Sequence, residues 1–367
     1  MSNTVTLQVI ADRVGVSKST VSDVLRARKS KYKVSQATRD RIHQTVKELN
    51  YVPNAAARAL VTGKTHSIGF LLSSRTNLGL ANNYFASILS GVQAAAKEKG
   101  YSCVVNCYDM SSVKDFVMPS KVRKKIVDGI VISGRIEEDV LQMFVDSGLP
   151  FILVGESTDF TVDGILSVAR DLPVDWISSF EYLAKLGHRK IAVGGLETSL
   201  GCVVFQKSIQ AFREQHPEYD IEFSSYKSLN ADTGIMNIAY QQGIEWAKSS
   251  ERPTAVVGHD QWCVGFISAV LDSGFSCPGD ISVISSCDTD LCRWFRPSIT
   301  AMELPLYQGG KKAAEVLVDY IDRSITWMEA NRLANQIWTN HELVIRDSTG
   351  PCANLKKQNI KGKTGAA

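Results

Sequence analysis

The 367-residue chain is 44% hydrophobic and 22% charged, a balance that fits a folded globular protein and excludes an intrinsically disordered one. It is too long for one ordinary domain and has room for two or three; no run of 18 apolar residues exists, which excludes a transmembrane helix. The net charge of +3 hides a gradient: residues 1–64 carry 12 Lys and Arg against 4 Asp and Glu, residues 351–367 carry four Lys and no acid, and the span between holds 25 basic and 34 acidic residues, a net of −9. A basic head on an acidic body points to a polyanion as the partner of the head alone. The N-terminus lacks the basic-then-apolar order of a signal peptide, so a cytoplasmic protein is expected. The eight cysteines (Cys103, Cys107, Cys202, Cys263, Cys277, Cys287, Cys292, Cys352) form no paired C-x-x-C sets, and several lie in apolar runs. Buried free thiols are expected, with no metal site and no disulfides.

In chain order, Leu7, Ile10, Ala11 and Val14 share one face at helical spacing, which predicts a helix from Leu7 to Val14. Gly15 ends it and makes a turn. Ser17 is suited to cap a second helix reaching about Arg26, with Val21, Val24 and Leu25 inward. Ser35 starts a third, ending near Asn50, with Ile42, Val46 and Leu49 toward the centre. Three short helices with a glycine turn between the first two make a helix-turn-helix. A helical dimerisation or docking bundle would show the same periodicity. The outer face of the second helix argues against that: Lys18, Ser19, Thr20 and Ser22 are short or basic, suited to donate to phosphates and base edges.

The stretches "TLQVIADRVGVSKSTVSDVL" and "VSQATRDRIHQTVKELNYVPNAAARALVTGKTHSIGFLL" together resemble the lac repressor family of bacterial transcription regulators. The match covers residues 6–72, and the order of motifs continues to about residue 347. The resemblance implies base reading by Lys18, Ser19 and Asp23. Asp23 departs from the family, which usually places Arg there; a carboxylate cannot donate to guanine and would accept from a cytosine amino group, so an altered operator half-site is expected. "RARKSKYK" (26–33) is longer and more basic than the family's usual loop and adds phosphate contacts. "PNAAARAL" (53–60) starts with proline and is alanine-rich; it is too short to be stable as a helix alone. In the family it is a hinge helix that pairs in the minor groove, which assigns DNA contacts to Asn54, Ala57 and Arg58 and a base-step wedge to Leu60.

From Ser67 onward, apolar runs ("SIGFLLS", "YSCVVNCYD", "DGIVISG", "PFILVGE", "KIAVGGLE", "TAVVGHD", "ISVISSCD") alternate with helical patterns ("YFASILSGVQAAAKEKG", "WISSFEYLAKLGH", "QWCVGFISAVLDSG"). Alternation of this kind predicts parallel sheets covered on both faces. The expected architecture is an all-α helix-turn-helix head (1–50), a hinge helix and linker (51–65), and an α/β body (66–347) of two doubly wound parallel-sheet subdomains. By resemblance this is the type I periplasmic-binding-protein fold, with one subdomain at 66–168 plus 298–328, the other at 169–297 plus 329–347, and a disordered tail at 348–367. The tail carries no heptads, so a homodimer is expected, although "LYQGGKKAAEVLVDYI" could carry tetramer contacts.

Open α/β sheets bind ligands beyond the carboxyl ends of their strands, and two facing sheets define a cleft. Strand ends and nearby aromatics nominate Tyr84, Phe85, Glu156, Asp171, Trp176, Phe205, His259, Asp260, Trp262 and Cys287 for an effector. For any single one of these aromatics a place in the core is the commoner role. Many family members place Arg, Asn and Asp where this chain has Phe205, His259 and Cys287, which implies a less polar effector, an unusual sugar on aromatics, or a lost effector. No G-x-S-x-G elbow, G-x-G-x-x-G turn or Walker loop is present, so no enzyme and no cofactor are expected. His188, at a helix-to-strand corner, is expected to make a structural hydrogen bond. The sequence thus reads as a dimeric repressor binding a pseudo-palindromic double-stranded operator under small-molecule control. A binding protein with a vestigial head is the competing class, and the retained Leu60 and polar recognition face weigh against it.

Overall fold

The computed structural model describes residues 5–25, 34–51, 59, 63–73, 79–110, 114, 116–118, 126–134, 136–156, 164–170, 172–196, 199–227, 234–335 and 342–352. By internal contacts the chain divides into two compact units, Met1–Thr65 and His66–Ala367.

The first unit holds α1 (Leu7–Val14), α2 (Lys18–Leu25) and α3 (Gln36–Glu48). Gly15 closes α1 at φ +74, a backbone setting that glycine adopts without a Cβ penalty. Its amide and that of Val16 both donate to the Ala11 carbonyl, at 2.9 and 3.0 Å. Ser17 Oγ accepts the Thr20 amide at 3.1 Å, and Ser35 Oγ accepts that of Thr38 at 3.2 Å, so both expected caps are made. Ile10, Ala11, Val14, Val21, Val24 and Ile42 are buried together, with Val16, Val46 and Leu49 against them. Each fully buried Ile or Val in such a centre contributes about 1.5–3 kcal/mol.

The second unit carries two sheets. The first, ordered β2-β1-β3-β4-β5, is built from β1 (Ser67–Ser73), β2 (Ser102–Tyr108), β3 (Gly129–Ser133), β4 (Phe151–Glu156) and β5 (Leu166–Arg170), all parallel. The second contains β6 (Lys190–Leu196), β7 (Glu222–Lys227), β8 (Ala255–Gly258), β9 (Ser282–Ser285), β10 (Thr300–Glu303) and β11 (Glu342–Val344). Its order is β11-β10-β9-β8-β6-β7, with β11 antiparallel at one edge. Apart from β11, both sheets run in the same order, so each reverses its winding beside its first strand, between β1 and β3 and between β6 and β8. Every residue of β3, β8 and β9 is buried, as apolar runs in a sheet covered on both faces require.

Helices cover the sheets: α4 (Asn83–Glu98) and α5 (Glu138–Asp146) on the first, and α6 (Leu172–Lys185), α7 (Ser199–Gln215), α8 (Ile235–Lys248), α9 (Asp260–Asp272) and α10 (Asp290–Trp294) on the second. After β10 come α11 (Leu306–Ile321) and α12 (Trp327–Ala334). Two helix pairs touch backbone to backbone. A Cβ on Gly310 of α11 would lie 2.1 Å from the Ile88 carbonyl oxygen of α4, and one on Gly265 of α9 would lie 2.2 Å from that of Met236 on α8.

Four expectations need correction. Strand β10 lies in the second sheet, because its backbone pairs with β9 (Thr300 with Ile284), so the first subdomain does not resume at residue 298. Helix α12 belongs to the first subdomain, since Ala330 and Ala334 are buried in the cluster of Ile68, Phe70 and Val168. Residues 348–352 are not a loose tail: the Val283 amide donates to the Ser348 carbonyl, that of Ser348 to Ser298, and that of Cys352 to Leu186, each at 2.9 Å. Cys107 is exposed and Cys103 half-buried on the edge strand β2, whereas Cys263, Cys277, Cys287, Cys292 and Cys352 are buried free thiols. The side chain of Cys202 and all of residues 353–367 lie outside the described residues. No helix among those described is long and apolar enough to cross a membrane.

Candidate nucleic-acid interface and effector cleft

Helix α2 turns Val21 and Val24 inward, which leaves its other face for contact. Lys18 and Ser19 are exposed there, and Thr20, Ser22 and Asp23 are half-buried. Ser17 Oγ lies 2.7 Å from Ser19 Oγ and 2.8 Å from Thr20 Oγ1, a hydroxyl chain that orients the first turn of the helix. Asn54, Ala57, Arg58 and Leu60 lie outside the described residues, as does the loop at 26–33. Ala59 is helical, and its carbonyl accepts the Gly63 amide at 2.8 Å, where Gly63 turns at φ +69.

In the second unit the carboxyl ends of the strands beside each winding reversal gather small and polar groups. On the first sheet these are Ser133 of β3, whose hydroxyl donates to the Val154 carbonyl at 2.8 Å, and Gly155 of β4 at φ +140. A Cβ on Gly155 would stand 3.6 Å from Tyr84 Oη, which places the Tyr84 hydroxyl over the end of β4. Tyr84 meets Phe85 edge to face at 5.0 Å. Glu156 ends β4, but its side chain lies outside the described residues, as does all of Asp171.

On the second sheet His259 follows β8 and precedes α9 and is exposed. Its Nδ1 lies 3.1 Å from Ser286 Oγ, and its Cδ2 edge stands over Gly195, which turns at φ +76. Among the described residues Nε2 is the ring nitrogen with no protein partner. Asp260 is buried and accepts from Thr289 Oγ1 at 2.7 Å. Cys287 is 3% exposed and belongs to the buried cluster that contains Met302 and Leu304, where the chain passes from β10 to α11.

Two family models match the chain: "Bacterial regulatory proteins, lacI family" over residues 6–54 and "Periplasmic binding protein-like domain" over residues 180–349. The transcriptional repressor PurR of Klebsiella pneumoniae (strain 342) is 31% identical over 327 residues, covering 86% of this chain and 90% of that one. The chain belongs to the LacI family of bacterial transcription regulators. Catabolite control protein A of Priestia megaterium is 27% identical over 329 residues, covering 87% and 93% of the two chains. Among solved structures, the lac repressor dimer bound to operator and the anti-inducer ONPF superposes with a TM-score of 0.75 at 22% identity, over 94% of this chain and 99% of that one. A CelR–cellobiose complex gives 0.63 at 23% identity, over 94% and 99%. The relatives carry the names of regulators, not of enzymes.

Three of the aromatics nominated for the effector are core in this LacI-family chain. Trp262 has no exposed surface: its indole N–H donates to Gln242 Oε1 at 2.7 Å, and its ring stacks on Phe266 at 4.6 Å. Trp176 and Phe205 meet edge to face at 5.4 Å and pack with Phe180 in the aromatic core under α6 and α7. Side-chain type alone does not separate a wall of the cleft from the layer beneath it. Sequence reasoning missed Ser133 and Ser286, for which the only signal was a hydroxyl at a strand end. Missed too was the clamp on Asp288: Arg346 grips its buried carboxylate with two hydrogen bonds of 2.9 and 2.7 Å, and Arg293 adds two longer ones at 3.2 and 3.4 Å. That carboxylate is paired with two arginines and almost fully buried, and its hydrogen bond holds the Arg346 pKa above its ordinary value. His188 is buried, with Nδ1 3.0 Å from Thr254 Oγ1 and Nε2 donating to the Gly350 carbonyl at 3.1 Å; burial holds its pKa below the usual histidine value.

Proposed function

We propose that this LacI-family chain is a cytoplasmic, sequence-specific repressor that binds a pseudo-palindromic operator as a homodimer, its affinity set by a small molecule in the cleft of its body. The observation that carries this reading is helix α2: a fixed, capped helix over a buried core, with Lys18 and Ser19 exposed and Thr20, Ser22 and Asp23 beside them. Two such helices related by a two-fold axis read two half-sites of one duplex. Leu60, with Asn54, Ala57 and Arg58, supplies the second contact, in the minor groove. Support comes from relatives named as repressors and from a lac repressor dimer solved on its operator.

The effector reading rests on the polar groups at the strand ends. Tyr84, Ser133 and Ser286 offer hydroxyls and His259 a ring nitrogen, while the Asp288 carboxylate is neutralised by arginines. A sugar-like or less polar molecule suits this set, and a relative with the same fold was solved with cellobiose. Operator and effector act on one equilibrium, so each changes the affinity of the other by the same factor. Titration of a duplex at rising salt tests DNA binding directly. With six to ten phosphate contacts the affinity should fall by about 10³–10⁵ between 50 and 200 mM salt. Affinity that is flat with salt would remove DNA from the function.

A further inference from the structure

The head is rich in basic residues, 12 Lys and Arg within residues 1–64. One of them is committed within the head itself. Arg41, near the middle of α3, reaches across 27 residues of sequence and donates from Nη2 to the Val14 carbonyl at 2.7 Å. Val14 is the last residue of α1, where carbonyls have no partner within the helix and the helix dipole is negative. The chain turns at Gly15, so the amides of Ser17 and Lys18, three and four residues on, do not return to it; among the described residues no backbone amide bonds to the Val14 carbonyl, which is left for a side chain to satisfy. A guanidinium there supplies both the missing donor and the complementary charge.

The place matters because α2 starts at Lys18, four residues beyond Val14. The buried side chains hold the three helices together from within, but apolar packing is non-directional. The Arg41 bond ties α3 to the end of α1 at the entrance to the turn, and so sets the angle at which α2 departs. We infer that Arg41 is a positioning residue for operator recognition: it fixes the direction of α2 through the Val14 carbonyl and is not one of the head's phosphate contacts. The inference rests on the DNA-binding reading above. Its consequence is unusual for an arginine of a DNA-binding head, since losing it should lower discrimination between sequences without lowering the charge-driven part of binding.

The test uses the full chain, a duplex selected by the wild-type protein from a random pool, and a scrambled duplex of equal length. Arg41→Met should reduce the ratio of selected to scrambled affinity by about ten-fold, the scale of one lost base contact. Scrambled-duplex affinity and the salt slope should stay at wild-type values. Arg41→Lys, which can still donate to the Val14 carbonyl, should restore most of the ratio. An unchanged ratio in Arg41→Met overturns the inference. So does an equal loss on both duplexes with the salt slope reduced by about 0.9, the signature of one lost phosphate contact. If Arg41→Met lowers the melting temperature of the head, Arg41→Lys decides: a wild-type melting temperature with a wild-type ratio supports positioning, and a wild-type melting temperature with a depressed ratio overturns it. A wild-type chain that enriches no duplex overturns the DNA-binding reading itself, so the two failures are separable.

Discussion

Replacing Trp262 with phenylalanine separates a core residue from a ligand contact. The indole lies under the ends of β6 and β8: a Cβ on Gly194 would fall 2.3 Å from its six-membered ring, and one on Gly258 would fall 2.5 Å from it. Phenylalanine keeps the stack on Phe266 but withdraws the outer part of the ring from beneath those glycines and removes the donor to Gln242. A buried acceptor that loses its partner costs about 1–3 kcal/mol. The space left by the smaller ring adds about 1–2 kcal/mol, well short of the 3–5 kcal/mol of a full aromatic-to-alanine truncation. The sum is about 2–5 kcal/mol of unfolding free energy, which urea titration followed by circular dichroism would measure at constant slope. A Trp262→Phe chain within about 0.5 kcal/mol of wild type, the usual range for surface changes, would refute the reasoning and return Trp262 to the cleft wall.

Three further outcomes are expected. Gly310→Ala drives a methyl into the Ile88 carbonyl of α4, and the strain of prying two helices apart exceeds the gain in helix propensity; a net loss of about 1–2 kcal/mol should appear as a lower urea midpoint. His188 is held neutral by burial, so its pKa is depressed in the folded state. As pH falls through about 6.5 the unfolded chain gains a proton the folded chain refuses, and stability drops; between about pH 7.5 and 5.5 a His188→Gln chain should lose less stability than wild type. Asp23→Asn exchanges an acceptor for a side chain suited to adenine, and anisotropy titrations on duplexes varied one base at a time should show a shift from cytosine to adenine at one position of each half-site, by about 1–3 kcal/mol; no shift at any position would take Asp23 out of base reading.

The head was legible almost residue by residue because its signals are local. Glycine at the turn, serine at two N-caps and apolar residues at helical spacing all act within a few residues of one another. The long buried strands were legible for the same reason. Strands β5, β7, β10 and β11 were not: "EFSSYK" is polar and forms an edge, and "TAME" and "ELV" hold their places only through pairing with distant strands. The subdomain boundary was misplaced with them, since only the pairing of Thr300 with Ile284 assigns β10 to the second sheet. His259 was nominated from its position after "AVVG", but its ring is oriented by Ser286, which stands 27 residues later and cannot be inferred from spacing. Trp262 and Phe205 pack against strands of their own sheet, and residue type alone does not say which side of a helix meets the sheet.

Selection of the preferred duplex from a random pool by the full chain, at low and at physiological salt, tests the central claim most directly. The expected result is enrichment of a palindrome whose half-sites are read by Lys18, Ser19 and Asp23, with a flexible step at its centre for Leu60. Weak recovery without sequence preference, vanishing as salt rises, would contradict it and reduce the head to a non-specific anchor.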